Sequence, residues 1–361
     1  MKDKNEITAC RRKTSIGGQA LLEGIMMRGP KTTALAVRNT KGEIVTEEFE
    51  TKGKERPAFC RWPIIRGVLG YVDSMTLGYK CLMRSAELSG LEDLVEENPK
   101  KKKQEKAQEC SEESQESPSG ETAAEPKKEA EEEKLPAWAM TAIMVVSVVL
   151  GLGLALFLFK WLPTQIFTWL TVPFPALGNT GNVALNSLIK SVFEGVLKIA
   201  LLVGYMGVIS LMKDIRRTFM YHGAEHKTIF CYEAGLELTV ENVRKQRRFH
   251  PRCGTSFLIL MLLVNIFVSF FIDPVALLLW NTTLGVWGRT LVSLILLPLI
   301  VGIGYELIKL AGRHDNWFTR FISAPGVWLQ HITVFEPTDD MIECAITAVK
   351  RVIPDDESDQ W

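Results

Sequence analysis

The sequence predicts an α-helical polytopic membrane protein of about four transmembrane helices, with a small α+β cytoplasmic module formed by its N- and C-terminal parts. Three observations support this reading. The 361 residues include 42 Lys plus Arg and 42 Asp plus Glu, so the formal charge is zero. Mean hydropathy is nevertheless +0.09 with 23% of residues charged, which requires charged and apolar residues to sit in different places. The apolar residues collect into four long runs, and basic residues gather in one connection between two of them. The charge balance also argues against a nucleic-acid-binding protein, which would carry a basic excess.

Residues 1–98 read as a soluble part. Residues 33–38 and 43–49 alternate around Asn39-Thr-Lys-Gly42, a hairpin signal with glycine where φ turns positive. The preceding Gly17-Gly-Gln-Ala-Leu-Leu-Glu-Gly-Ile-Met-Met-Arg-Gly-Pro30 suits tight turns and close strand packing, or a backbone pocket for a ligand around Glu23 and Arg28. It lacks the Gly-Lys-Ser/Thr ending of a phosphate-binding loop. Residues 62–88 read as an amphipathic helix on the membrane surface, with Arg61 and Arg66 toward the headgroups. No apolar stretch before residue 60 has the form of a secretory signal, so none is expected. Residues 99–134 hold eight Lys, eleven Glu and no aromatic or branched aliphatic residue. They cannot bury enough apolar surface to offset their ordering entropy, so a disordered linker is expected.

Residues 135–310 read as the membrane domain. The uncharged run 138–159 reaches roughly 33 Å as a helix, against ~30 Å of hydrocarbon, and Trp138 and Trp161 flank it as interfacial anchors would. Runs 196–212, with Lys198 near one end, 256–272, and 291–310, with Glu306 and Lys309 at its far end, supply the other three. Connection 213–255 carries nine Lys or Arg, whereas 271–290 carries only Arg289. The positive-inside rule therefore puts 213–255 and both termini in the cytoplasm. The tail, 311–361, has no span. Within it 327–334 looks like a strand, and Thr338 could cap a helix over 339–352 whose acidic start suits the helix dipole. This tail is expected to join the N-terminal hairpin. All seven cysteines (Cys10, Cys60, Cys81, Cys110, Cys231, Cys253 and Cys344) then face a reducing compartment, which favours metal or thiol chemistry over disulfides.

The chemistry concentrates in 213–255. Of five histidines, His222, His226 and His250 lie there. His222 and His226 are four apart and share a helix face, with Glu225 adjacent. The order His-x-x-Glu-His is that of the inverted zincin motif, in which the glutamate is general base on a metal-bound water. His250 and Cys253, three apart, have the spacing of two ligands chelating one borderline-soft ion. Antiparallel packing of the second and third spans would bring both halves together at the inner membrane surface. His222, His226, His250 and Cys253 are thus candidate ligands for zinc or another divalent metal, unless they merely hydrogen-bond across helix ends. Glu225 is a candidate catalytic base, a fourth ligand, or a partner orienting an imidazole. Four ligands with a cysteine describe a closed structural site, and three plus water a catalytic one. Asn265, Glu194 and Glu306 are polar residues in or near spans and so functional candidates, although Glu194 could simply pair with Lys190 or Lys198 four residues away.

At these residues the chain resembles the YqhQ-like family, bacterial membrane proteins described as a domain of unknown function and sometimes as predicted metal-dependent enzymes. The resemblance rests on the stretch from Gly17 to Pro30, on Tyr221-His-Gly-Ala-Glu-His226, on His250-Pro-Arg-Cys-Gly-Thr255 and on the tail 325–345. It implies a multi-pass bacterial plasma-membrane protein whose metal role maps onto His222, Glu225, His226, His250 and Cys253. The tract 99–134 looks like an insertion. The tail reads Thr333-Val-Phe-Glu-Pro337, where the resemblance leads one to expect a more polar, arginine-containing stretch.

The leading functional expectation is a metal-dependent, hydrolase-like membrane enzyme working at the cytoplasmic face on a membrane-proximal peptide or lipid-linked substrate. The alternative is a non-enzymatic scaffold or assembly factor whose zinc site clamps the second and third spans. A third is a small transporter using Glu306 and Asn265, which would require a homo-oligomer. Expected partners are the lipid bilayer and membrane proteins or further copies of the chain, with no nucleic acid. No nucleotide, haem, flavin or iron–sulfur signature is present in the sequence.

Overall fold

A computed structural model describes residues 13–51, 57–90, 137–282, 284–314 and 316–360. The linker expected over 99–134 lies outside the described residues, as do Cys10 and Cys110. Strands β1 (Gly17–Leu21), β2 (Gly24–Arg28), β3 (Thr32–Arg38) and β4 (Ile44–Glu50) form an antiparallel meander in the order β1-β2-β3-β4. The expected hairpin is β3–β4, with Gly42 at φ +84°. The glycine-rich stretch before it is a second hairpin, turning at Leu22-Glu23 with Glu23 at φ +52°.

β2 and β3 are buried on both faces because helices cover each side. One face meets helix α1 (Ile65–Ser89), through Leu21, Met26, Leu35 and Cys81. The membrane-surface helix expected here is therefore a sheet-packing helix along part of its length. Its Arg66, expected at lipid headgroups, instead pairs with Glu306, donating from Nε at 2.7 Å.

The first candidate span combines α2 (Ala137–Leu156), a π-helical turn at Phe157–Trp161 and α3 (Leu162–Thr171). Its span-length window is Val145–Thr171, so Trp161 lies inside the helix rather than at its end. The sequence run stopped at Lys160, but this half-buried lysine lies at a polar cluster inside the bundle and the helix continues past it. The second and third candidate spans are α4 (Val183–Ile209) and, after α5 (Lys213–Glu233) and α6 (Val240–Arg244), α7 (Gly254–Trp280). The fourth is broken: α8 (Val286–Ile295) and α9 (Leu297–Arg313) meet at 53° beside Pro298, which has no N–H to continue the ladder. The described helices thus include three long and apolar enough to cross a membrane, or four if the bent pair counts as one.

Arg289, expected in a connection, is buried on α8 and pairs with Asp273 of α7, while its other amine donates to Ser191 of α4 at 3.3 Å. Glu194 pairs with Lys198 at 3.3 Å, one of its two expected partners, and accepts from Thr164 at 2.9 Å.

The tail differs most from expectation. Helix α10 (Trp317–Thr333) stands where 327–334 read as a strand. Its buried residues Thr319, Ser323, Gly326, Leu329, Gln330 and Thr333 repeat every three or four positions, a helical period, and Asn316 and Thr319 close its start with a capping box. Gly326 is needed, since a Cβ there would lie 2.5 Å from Ser256 of α7. Helix α11 (Asp339–Lys350) forms as expected, but the Thr338 side chain makes no cap bond and Asp339 pairs with Arg244.

α11 and the second half of α5 cover the other sheet face. Ile25, Met27, Ala34 and Ala36 pack there against Tyr221, Ala224, Met341, Ile342 and Ala345, so the N- and C-terminal parts do join in one module. The sequence pattern did not show that α5, from the connection between spans, is its third component.

α5 approaches the tail so closely that a Cβ on Gly223 would lie 2.0 Å from the Phe335 carbonyl oxygen. Gly223→Ala gains up to about 1 kcal/mol of helix propensity. The overpacking costs about 1–3 kcal/mol, so the variant should melt at a lower temperature than wild type; an equal or higher melting temperature would contradict this packing.

Candidate metal centre

α5 sets the histidines on one face. His222 and His226 are one turn apart, with ring centroids 4.4 Å apart. Cys253, the N-cap of α7, comes from the far end of the connection. One donor atom from each of His222, His226 and Cys253 lies within 4.8 Å of the others. His222 Nε2 is 3.0 Å from the Cys253 sulfur.

The hydrogen bonds behind the rings decide what they present. His222 Nδ1 is 3.1 Å from the Thr333 carbonyl, and His226 Nδ1 is 2.6 Å from the Arg248 carbonyl. A carbonyl only accepts, so in each ring Nδ1 carries the hydrogen and, in the neutral form, Nε2 keeps a bare lone pair. Metal-ligating histidines are oriented in this way. His226 Nε2 is buried and has no hydrogen-bond partner. An orphaned acceptor of this kind beside a thiol and a second imidazole fits a bound cation.

The electrostatics suit a ligand set. Burial pushes His226 below its ordinary value, toward the neutral form that ligates. For Cys253 burial acts upward, but nearby His226 and the Thr255 hydroxyl and amide outweigh it, so the thiol sits below its usual range. Glu225 is next to this set. Its Oε1 accepts the Gly18 N–H at 3.1 Å. Burial raises its carboxyl to about 7, with His222 and the Gly18 amide opposing and Cys253 adding to the rise. Gly18 permits this contact, because a Cβ there would lie 2.9 Å from the Glu225 carboxyl carbon.

His250 stands apart from the trio. Its N–H donates to Gln330 at 2.7 Å, and its carbonyl accepts from the same side chain at 2.7 Å. Its ring Nε2 is 3.9 Å from Glu233, while Nδ1 accepts the Arg252 N–H at 3.3 Å. Glu233 also pairs with Arg252, so His250 belongs to a buried carboxylate–guanidinium pair behind the site. Sequence spacing gave no hint of Glu233 or Gln330, which act through contacts between distant segments. The stretch Thr333-Val-Phe-Glu-Pro337 does bear on the site: Thr333 orients His222, Phe335 abuts Gly223, and Glu336 pairs with Lys227.

A cavity of about 810 Å³ opens beside the cluster, lined by Gly18, Glu225, His222 and Cys253 and, on other walls, by Asp73 and Tyr305. Arg28 also lines it, whereas Glu23, its expected companion, pairs with Arg217 at the hairpin turn. Cys60, Cys81, Cys231, Cys253 and Cys344 are free thiols.

Fold and site together define a mostly helical protein that has, among the described residues, three or four helices fit to span a membrane and a His–His–Cys cluster that could hold a metal ion. A family model described as a protein of unknown function (DUF1385) matches residues 62–355, and the chain belongs to that family. It is 31% identical over 343 residues to the uncharacterized protein YqhQ of Bacillus subtilis (strain 168), covering 93% of this chain and 92% of that relative. No solved structure matches.

If the trio binds a metal, purified protein should retain about one zinc or other divalent ion per chain, and His226→Ala or Cys253→Ser should lower that occupancy by at least tenfold. His250→Ala should lower it less, because that ring does not share the cluster. Equal metal content in all four proteins, measured by elemental analysis, would remove the centre.

Proposed function

We propose that this protein is a metal-dependent hydrolase of the inner membrane surface, with His222, His226 and Cys253 as ligands and Glu225 as general base. One observation carries the reading: three donors converge while a buried carboxylate stands just outside them, at the wall of a large cavity. Three protein ligands with space beside them describe a catalytic centre better than a closed structural one. When bound, a divalent ion such as zinc would supply Lewis acidity toward a carbonyl and lower the pKa of a coordinated water.

The chain's own groups account for the proton movements. Glu225 takes one proton from the attacking water as its oxygen bonds to the substrate carbonyl carbon, and returns it to the leaving amine or alcohol as the C–N or C–O bond breaks. The Gly18 amide holds that carboxylate at the cavity wall. Thr333 and Arg248 keep the imidazoles in the ligating tautomer. The nine basic residues of 213–255 support placing this side in the cytoplasm.

A structural clamp is the second reading, favoured by the cysteine ligand and by the way the cluster ties α5 to the start of α7 and the end of α10. Glu225→Gln separates the two. Under the hydrolase reading this variant keeps its metal and loses about 10²–10⁴ in hydrolysis of an activated ester such as p-nitrophenyl acetate. Unchanged hydrolysis with metal in place would leave only the clamp.

A further inference from the structure

The cavity beside the centre runs along β1. β1 is an outermost strand; α1 walls the cavity through Asp73 and Ser74 and α5 through Phe219 and Glu225, and beyond β1 the space reaches Met26 and Arg28 of β2 and Thr51 after β4. α1 and α5 cover the two sheet faces, so the part of the space that borders the outer edge of β1 is where a fifth strand would lie.

The edge also points its backbone there. Leu21 and Gly24 flank a two-residue turn and are register partners, so alternate residues 17, 19 and 21 bond to β2 while 18 and 20 direct their amides outward. The Gly18 N–H agrees with that direction, since it reaches out to Glu225, which leaves the Ala20 amide and the outward carbonyls of β1 for a further strand. Ala20, half-buried, lines the same cavity.

The segment leading into β1 already pairs with main chain, at the end of the helical turn Glu357–Asp359. Thr14 forms an antiparallel bridge with Gln360, and the Ser15 N–H donates to the Asp359 carbonyl at 2.5 Å. Asp359 is anchored there by the Thr14 hydroxyl at 2.6 Å and the Tyr232 hydroxyl at 3.0 Å. The backbone just before β1 thus takes main-chain partners on this side, with side-chain anchors beside them.

From this geometry we infer that the ligand of the cavity is an extended polypeptide segment of another chain, bound by strand addition along the outer edge of β1. Main-chain pairing of this kind gives affinity with little demand on sequence. It would carry a peptide carbonyl past Glu225, His222 and Cys253. The inference rests on the hydrolase reading only for the chemical step after binding, in which water adds across the peptide C–N bond to leave a carboxylate and an amine.

The test uses full-length protein in detergent and fluorescein-labelled β-casein, an unfolded polypeptide, as probe. Wild type should raise the probe's anisotropy. Ala20→Pro removes one outward amide at an edge position where proline is tolerated, and should weaken binding about tenfold. Ala20→Ser, which keeps the amide, should bind as wild type. Metal content and melting temperature report folding. If Ala20→Pro melts early, the amide is removed from the ligand instead: a casein-derived decapeptide should displace the probe from wild type, and its N-methylated form should not. No binding by wild type, or equal binding by Ala20→Pro and by the N-methylated peptide, overturns strand addition, and displacement by phospholipid vesicles in their place would point to a lipid-linked ligand. Binding that depends on Ala20 without cleavage that depends on Glu225 would sink the hydrolase reading and leave the strand site standing.

Discussion

Two imidazoles on one helix each give their Nδ1–H to a main-chain carbonyl, and the site depends on that surrender. The carbonyls come from Thr333, at the end of α10, and from Arg248, just before α7. Each bond fixes a tautomer, a ring orientation and an exposed lone pair together. Without them the His222–Cys253 contact and the orphaned His226 Nε2 would have no reason to persist in a buried setting. The constraint also explains why the tail must pack against α5: Gly223 admits the Phe335 carbonyl, and Lys227 reaches Glu336.

α5 is consequently shared between two bodies. Its buried stretch from Tyr221 to Glu233 completes the hydrophobic core under the sheet, while its histidine face meets the start of an apolar helix long enough to cross a membrane. Arg66 with Glu306 ties α1 to α9 in the same way on the opposite side of the sheet. The cavity lies between these attachments, so its walls come from both the sheet module and the helical bundle. Inside the bundle Arg289 of α8 holds Asp273 of α7 and Ser191 of α4, and Glu194 of α4 accepts from Thr164 of α3. Removing one partner of such a buried pair leaves an uncompensated charge, so the pairs are costly to break even where their net contribution to stability is small.

Much of the architecture was legible because it obeys local periods. Residues 33–38 and 43–49 alternate, and β3 and β4 formed over them within a residue or so. The apolar runs marked the helices long enough to cross a membrane, yet their ends moved where a charged residue turned inward: Lys160 and Arg289 looked like boundaries and are part of the bundle. The strand expected over 327–334 failed for a related reason. Val327, Trp328, Ile332 and Val334 favour strands by residue type, but the capping box at Asn316 and the packing of Gly326 on Ser256 commit the segment to a helix.

By itself the sequence determined the segregation of charge from apolar surface, the presence of helices fit for a bilayer, and the placing of His222 and His226 on one face with Glu225 beside them. These follow from spacing along a single element. Tertiary structure alone decided which donors meet. Cys253 joins the pair from 31 residues away, Thr333 orients a ring from 111 residues away, and Gly18 reaches Glu225 across 207. His250, three residues from Cys253, is drawn instead to Gln330, Arg252 and Glu233. Spacing sets the face on which a side chain stands, but the partner that satisfies a buried polar atom is supplied by whichever segment folds against it.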